Sequence, residues 1–214
     1  MNKPKQKTLN QIWQQVPPNY YHQGVTKNLL QWIWHTSKIK AFKQIVQQKK
    51  FIKILDVGCS GGFMTSKVAE IFPRSQVFAI DAYPDAINYA KSRFPHINFQ
   101  VADAHHLPFP EDSFDLIICY ETIEHVLNPQ KILQQMRRVV KKNGTVIVAM
   151  DSGNLMFKTT WWAWEKTFGR VWQGAHLHPF HHQDLEKIIR QADFKITKKH
   201  FSHLGMEVSF VLKK

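Results

Sequence analysis

The sequence predicts an α/β domain, with a seven-stranded, mostly parallel β-sheet, helices on both faces and an antiparallel C-terminal strand. Short apolar runs alternate with amphipathic segments, the first run ends in a glycine cluster, and only a short connection separates the last two runs. Alternating strands and helices are typical of parallel sheets, because each crossover needs a helix to return the chain to the same edge. Two runs with a short connection instead form an antiparallel hairpin.

The individual elements are assigned from hydrophobic spacing and turn residues. One helix is predicted over 23–48, with Leu29, Trp32 and Ile33 in its apolar stripe and Lys38 on another face. Strands are predicted over 51–57, 76–80, 97–101, 114–119, 145–150, 194–201 and 206–212, and further helices over 63–71, 84–94, 129–141 and 183–191. Asn143-Gly144 is expected to end the helix over 129–141. The stretch over 152–180 has no clean period.

Charge and tryptophan content divide the chain into a neutral centre and two basic flanks. Residues 1–50 carry nine lysines and no acidic residue, residues 51–150 carry ten basic and ten acidic residues, and residues 151–214 carry ten and six. All seven tryptophans lie in the flanks. We therefore predict a basic N-terminal helical extension over 1–50 and one domain over 51–214, with an aromatic insertion at 152–180.

Several classes of protein are not expected. Every apolar stretch is shorter than the roughly 18 residues of a membrane span, the basic N-terminus lacks the apolar region of a secretory signal, and two cysteines cannot form a disulfide scaffold. The chain is predicted to be cytoplasmic. Lysine with tryptophan in residues 1–50 suggests peripheral contact with a membrane surface; nucleic acid is a less favoured partner, and a solvated basic face without a partner is the third alternative.

The first strand ends in the segment Ile54–Phe63, I-L-D-V-G-C-S-G-G-F, which predicts a ligand site. Glycines at the carboxyl end of a parallel strand let a ligand approach the backbone, and Asp81 at the end of the second strand can accept the hydroxyls of a ribose. The spacing G-x-x-G-G and the carboxylate of Asp56 argue against a dinucleotide, whose pyrophosphate would meet a like charge. A carboxylate there suits a cofactor that carries an ammonium and a sulfonium.

Several segments in this order resemble class I S-adenosylmethionine-dependent methyltransferases, particularly the small-molecule branch similar to the enzymes of ubiquinone and menaquinone biosynthesis. The family's first motif, LDVGCGTG, is matched by LDVGCSGG, with Ser60 and Gly61 in place of Gly and Thr. The ribose-acid segment resembles FAIDAYPDAINYAKSRF, and the adenine segment and substrate-facing strand resemble FQVADAHHLPFPEDSFDLIICYETIEHV. The fifth-strand motif and last helix resemble KKNGTVIVAM and HPFHHQDLEKIIRQADF. The resemblance spans 51–150 and, more loosely, 176–214, and it implies a Rossmann-like fold.

The resemblance also implies S-adenosyl-L-methionine as the cofactor and a role for each matching residue. Asp56 would hold the loop and the methionine ammonium, Asp81 the ribose diol and Asp103 the adenine amine, although Asp103 can alternatively cap a turn. The other cofactor contacts would come from Gly58, Cys59, Ser60, Gly62, Ala82, Ala104 and Tyr120.

Glu121, His125 and His178 are the candidate catalytic residues, because a hydroxyl acceptor must lose its proton and His or Glu can take it. In the alternative interpretation, Glu124 and His125 only fix the loop after the fourth strand. The histidines at 176, 178, 181 and 182 lack an accompanying Asp or Cys pattern, so no metal site is predicted.

The aromatic insertion is the best indication of the methyl acceptor. Trp161, Trp164 and Trp172 suggest a lid over a lipophilic molecule such as a quinone precursor, a prenyl chain or another lipid; alternatively, they form a small core against the N-terminal helix. The predicted function is methyl transfer to a small lipophilic acceptor. RNA methylation and a non-catalytic cofactor-binding scaffold at a membrane or partner surface are the alternatives.

Overall fold

The computed structural model describes residue 14 and residues 16–167, 178 and 181–214. Its strands are β1 (Lys53–Val57), β2 (Gln76–Asp81), β3 (Asn98–Val101), β4 (Phe114–Tyr120), β5 (Val140–Asp151), β6 (Lys195–Ser202) and β7 (Glu207–Lys213). Its helices are α1 (Tyr20–Lys27), α2 (Leu29–Val46), α3 (Phe63–Ile71), α4 (Pro84–Arg93), α5 (Pro129–Val139), α6 (Leu155–Lys166) and α7 (His182–Gln191). Single 3₁₀ turns lie at Ala104–His106, Ile123–His125 and His203–Gly205.

The seven strands form one sheet in the order β3-β2-β1-β4-β5-β7-β6. β1 to β5 are parallel to one another, and β7 is antiparallel to both β5 and β6. The predicted fold class is therefore confirmed. The strand order reverses at β1, whose neighbours are β2 and β4, and in open α/β sheets the ligand crevice lies at the carboxyl ends of the strands at this point.

Helices cover both faces of the sheet, as predicted. Phe42 of α2, Val68 of α3 and Ile87 of α4 belong to the apolar cluster on one face. Leu133 of α5 and Leu185 of α7 belong to the cluster on the other face. Because both faces are covered, the central strands are buried, which explains why they read as continuous apolar runs.

The helix predicted over 23–48 is in fact two helices, and its apolar stripe was partly wrong. Asn28 has an extended backbone, and its side chain accepts hydrogen bonds from Leu30 N and Gln31 N, so that it caps α2 and separates it from α1. Downstream, α2 buries His35, Lys38, Ala41, Phe42, Ile45 and Val46. Lys38 therefore lies on the buried face, whereas Leu29, Trp32 and Ile33 are exposed.

Asn143-Gly144 does not end a helix, contrary to the prediction. The helix α5 stops at Val139, and the chain continues directly into β5, where Val140 pairs with Phe114. A Cβ on Gly144 would lie 2.5 Å from the Val140 side chain and 3.0 Å from the Phe114 carbonyl oxygen. Glycine at this position thus avoids close contacts with the start of its own strand and with β4, and it does not mark a helix terminus.

The described part of the insertion contains α6, although its sequence showed no helical period. The helix begins where the Asn154 side chain accepts a hydrogen bond from Phe157 N at 2.7 Å, and most of its surface is exposed. Within the described residues, no helix combines the length and apolar character needed to cross a membrane.

Candidate functional site

A cavity of about 410 Å³ lies at the carboxyl edge of the sheet, between the ends of β1, β2 and β4 and the helices α1 and α2. It is lined by nine of the ten residues that the resemblance assigns to the cofactor, and Gly62 is the exception. Glu121 and His125 also line it. The fold thus brings these residues together from several loops.

The glycine loop after β1 is held by its backbone and by close packing. The Ile80 carbonyl oxygen accepts hydrogen bonds from Gly58 N at 2.9 Å and Cys59 N at 3.0 Å. Gly58 has φ +79°, and a Cβ there would lie 2.2 Å from the Thr122 hydroxyl oxygen. Only glycine lets this loop pass so closely beside the loop after β4.

Of the two departures from the family motif, the structure explains Gly61 and not Ser60. Ser60 adopts the left-handed backbone region, with φ +48°, and its N–H donates to Asp81 Oδ2 at 2.8 Å. A Cβ on Gly61 would lie 2.0 Å from the Pro18 carbonyl oxygen. The segment before α1 therefore packs directly on the loop and leaves no room for the family's threonine at position 61.

Asp56 connects the end of β1 to α3. Its carboxylate accepts a hydrogen bond from the Thr65 hydroxyl at 2.6 Å, and burial raises its pKa to about 7. Asp56 also lines the cavity, where a cationic ligand would favour its ionised form.

Asp81 joins the glycine loop to the segment after β2. Its Oδ1 accepts from Tyr83 N at 2.9 Å, while Oδ2 accepts from Ser60 N. Burial raises its pKa although these N–H donors oppose the shift. A carboxylate has about four lone-pair positions, so two such bonds leave capacity to accept ligand hydroxyls.

Asp103 caps a turn and also lines the cavity. Its Oδ1 accepts from His105 N at 2.9 Å and contacts His105 Nδ1 at 2.6 Å, so it caps the turn that Ala104 begins. Although partial burial opposes the change, these hydrogen bonds lower the pKa of the carboxyl. Asp103, Ala104 and Ala82 all line the cavity.

The opposite end of the cavity contains a buried ion pair that the sequence analysis missed. Lys38 Nζ lies 2.5 Å from Glu121 Oε1, and the indole N–H of Trp34 donates to the same oxygen at 3.2 Å. Burial alone would raise the pKa of Glu121, but Lys38 outweighs it and lowers that pKa to about 2. Glu121 is therefore ionised near neutral pH and is a poor proton acceptor.

This pair belongs to a larger network between α2 and the β6–β7 hairpin. Lys38 Nζ also lies 3.6 Å from Glu207 Oε2, and Glu207 Oε1 accepts from the Ser202 hydroxyl at 3.1 Å. His203 Nε2 contacts the Trp34 carbonyl oxygen at 2.7 Å. The available signal was the spacing of the buried positions 35, 38, 42 and 45, which places Lys38 on the inward face of α2.

The remaining predicted residues differ in their positions. His178 contacts the loop after β4 through two groups. Its backbone N–H donates to the Glu124 carbonyl oxygen at 3.1 Å, and its ring Nε2 lies 2.9 Å from the Val126 carbonyl oxygen. These contacts indicate a structural role. Trp161 and Trp164 lie on α6 and are not among the described residues that line the cavity, and Trp172 lies outside the described residues.

The Cys59 thiol is buried, which raises its pKa, so a nucleophilic role is not supported. In the part of the chain that the structure describes, no group of three or more His, Cys, Asp and Glu side chains could hold a metal ion.

Comparison with known proteins agrees with this geometry. Residues 55–148 match the family described as methyltransferase domain. The chain is 34% identical over 113 residues to the mitochondrial ubiquinone biosynthesis O-methyltransferase of Schizosaccharomyces pombe, covering 49% of this chain and 39% of that protein. It is 28% identical over 162 residues to the ubiquinone biosynthesis O-methyltransferase of Hydrogenovibrio crunogenus, covering 72% and 65%. The chain thus spans less than two thirds of either relative.

A solved structure of an S-adenosylmethionine-dependent methyltransferase from Thermotoga maritima has the same fold, with a TM-score of 0.72 at 18% identity, over 96% of this chain and 99% of that one. The family match and the curated relatives agree with the motif order and the glycine loop. Residues 55–148 of this chain therefore match a methyltransferase domain, and the chain is similar to S-adenosylmethionine-dependent methyltransferases.

Proposed function

We propose that this protein transfers a methyl group from S-adenosylmethionine to a small molecule. The observation that carries the proposal is a single cavity that joins the glycine loop and Asp81 at one end to the Lys38–Glu121 pair at the other. The cofactor fits the chemistry of the first end, which offers carboxylates to its ribose and its ammonium. When bound, S-adenosylmethionine supplies an activated methyl group on a sulfonium.

The residues of the chain position the reactants and exclude water. Gly58, Cys59 and Ser60 would hold the methionine part through backbone, Asp81 the ribose, and Asp103 with Ala104 the adenine. The segment before α1 and α1 itself form part of the cavity wall, since Pro18 packs on Gly61 and both Pro18 and Tyr21 line the cavity. In methyl transfer much of the rate increase comes from holding two reactants in line, so this enclosure is the main contribution of the fold.

The acceptor is proposed to be amphipathic, with a lipophilic part. Val16, Ile39, Val126 and Leu127 contribute apolar wall, whereas Lys38 and Glu121 contribute a donor and an acceptor of hydrogen bonds. The curated relatives named for ubiquinone biosynthesis support such an acceptor. If the accepting atom is a hydroxyl oxygen, His125 is the candidate base. Glu121 is a weak base, because Lys38 stabilises its ionised form and lowers its pKa.

The first test is calorimetric titration with S-adenosylmethionine and S-adenosylhomocysteine, and with NAD as a control. We expect both adenosyl ligands to bind and NAD not to bind. Asp81→Ala should weaken binding by about tenfold to a hundredfold, because each hydrogen bond to a charged group contributes about 1.5–3 kcal/mol. Asp85→Ala, an acidic residue in the first turn of α4, is the matched control and should bind like the parent protein.

Circular dichroism separates lost binding from lost folding in these variants. Unchanged affinity in a folded Asp81→Ala protein would refute the cofactor site. If cofactor binds, methyl transfer from labelled cofactor into lipid extract or into RNA distinguishes a small lipophilic acceptor from the RNA alternative. Binding without transfer to either would favour a non-catalytic scaffold.

A further inference from the structure

Most of the large apolar side chains that the protein exposes lie on three neighbouring elements. Nine of the eleven such side chains in the described part of the chain belong to α2, α6 and the β6–β7 hairpin. We call these nine the apolar rim: Leu29, Leu30, Trp32, Ile33, Leu155, Met156, Trp162, Phe201 and Leu204. The other two lie elsewhere: Ile52 directly precedes β1, and Val101 ends β3.

Direct contacts hold the three elements together at the carboxyl edge of the sheet. The His203 ring lies 4.1 Å from the Trp34 ring of α2, and its Nε2 lies 2.7 Å from the Trp34 carbonyl oxygen. On the other side of the same turn, the Asn154 amide that precedes α6 donates to the Gly205 carbonyl at 2.9 Å. The hairpin turn therefore contacts both α2 and the residue before α6, so the three elements that carry the rim meet at this edge.

Lysines border the apolar rim, and acidic residues are nearly absent. Exposed lysines at 27, 40, 43, 158 and 198 lie on α1, α2, α6 and β6. The sequences of α1, α2 and the stretch 195–205 contain no Asp or Glu, and α6 contains one, at position 165. A positively charged surface of this kind attracts an anionic partner.

The apolar side chains select the class of anionic partner. Nucleic-acid sites use arginine, lysine and aromatic stacking, and exposed aliphatic side chains contribute nothing to phosphate recognition. Leu155 and Leu204 are 78% and 88% exposed. Each could insert into a partner on its own, without a pocket shaped to fit both. A lipid bilayer accepts such side chains individually, and lysine with tryptophan suits its headgroup region.

We infer that the apolar rim docks on an anionic lipid bilayer. Its leucines, isoleucine and tryptophans enter the interface, and the bordering lysines bind the anionic headgroups. The same helix, α2, carries both rim residues and the cavity residues His35, Lys38 and Ile39. Docking therefore places the cavity wall against the membrane, where a lipophilic acceptor would be dissolved. Vesicle binding itself does not depend on the proposed methyl transfer.

The experiment is co-sedimentation of the full chain with vesicles of phosphatidylcholine alone and with equimolar phosphatidylcholine and phosphatidylglycerol. We expect binding to the anionic vesicles at low salt, reduced at about 0.15 M salt because headgroup attraction is screened. Leu30→Ser with Ile33→Ser should reduce the partition coefficient about tenfold, since apolar surface no longer enters the interface. Lys27→Gln with Lys40→Gln should reduce it by a similar factor.

The control is Ile52→Ser, which replaces an apolar residue that precedes β1 at the amino edge and is more exposed than Leu30 or Ile33. This variant should bind vesicles like the parent protein. Absence of binding to anionic vesicles at low salt would overturn the inference. It would also be overturned if the lysine variant lost binding while the apolar variant kept it, because charge alone would then suffice. Retention of an RNA oligonucleotide that the apolar substitutions leave unchanged, without vesicle binding, would assign the surface to nucleic acid.

Discussion

Single residues at the inner end of the cavity act through partners that are remote in sequence. Glu121 was visible as a carboxylate after the fourth strand, and a base was a reasonable interpretation. Its pairing with Lys38 changes that interpretation, because the lysine stabilises the ionised form. A buried ion pair is costly to break from one side, since the remaining charge is left without compensation.

We therefore predict that Lys38→Met lowers the free energy of unfolding by about 3 kcal/mol, because it leaves Glu121 as a buried, unpaired charge. Urea denaturation measures the change. The double variant Lys38→Met with Glu121→Gln should recover much of the loss, and Lys40→Met, on the exposed side of the same helix, should change little. Equal losses in the single and double variants would mean that Lys38 contributes packing rather than charge.

The site residues that could be predicted from the sequence are those that belong to a local motif. Asp56 lies at the end of β1, just before the glycine loop, and Asp81 lies at the end of β2. Because the carboxyl ends of parallel strands lie at the same edge of a sheet, the sequence places both carboxylates at one site. Lys38 and His35 reach the same cavity from a helix outside that motif. Their position depends on tertiary packing, which local spacing indicates only once the buried face of the helix is known.

At the scale of elements, several strands and helices were predicted to within one residue, and α3 coincides with the predicted helix over 63–71. β2 and β4 differ from their predicted bounds by one residue, because buried strands in a parallel sheet are continuous apolar runs. The wrong element bounds lie where a single side chain or a single close contact determines the local structure. Asn28 caps α2 and divides a continuous helical pattern, and Gly144 serves a strand contact although it resembles a helix stop.

The cap at Asn28 yields a prediction about α2. Asn28→Ala removes the side-chain oxygen that accepts from Leu30 N and Gln31 N, so the free energy of unfolding should fall by about 1 kcal/mol. Asn28→Asp keeps an acceptor and should retain most of the stability. Both are measured by urea denaturation. If the alanine variant were as stable as the parent, α1 and α2 would tolerate fusion into one helix, and the cap would not be needed for their separation.

For the whole molecule, buried titratable groups determine how stability changes with pH. The pKa of Glu124 is raised from 4.5 to about 8 by burial, so the folded protein keeps a proton that the unfolded chain loses. The free energy of unfolding must therefore fall as pH rises from about 4.5 to about 8, because the folded state binds more protons than the unfolded chain. His22 and His35 act in the opposite sense below pH 6.5, since burial lowers their pKa values to about 4 and about 3.

Between pH 6.5 and 8 the two histidines no longer change the free energy of unfolding, so the effect of Glu124 can be measured there. Asp56, with a pKa of about 7, adds to the decline at the lower end of this range. One pKa unit corresponds to about 1.4 kcal/mol, so Glu124 alone should lower the free energy of unfolding by about 1–2 kcal/mol over the interval. The protein is thus predicted to be more stable at pH 6.5 than at pH 8.

Glu124→Gln tests this directly, because the amide is close in shape to the protonated carboxyl and cannot ionise. Neither carboxyl oxygen of Glu124 has a hydrogen-bond partner among the described residues, so the substitution breaks no such bond of this side chain. Urea denaturation at pH 6.5 and at pH 8 should show most of the decline removed. Glu111→Gln, at an exposed position, should keep the parent's decline. A Glu124→Gln protein that still lost about 1–2 kcal/mol over this interval would place the responsible proton on another group.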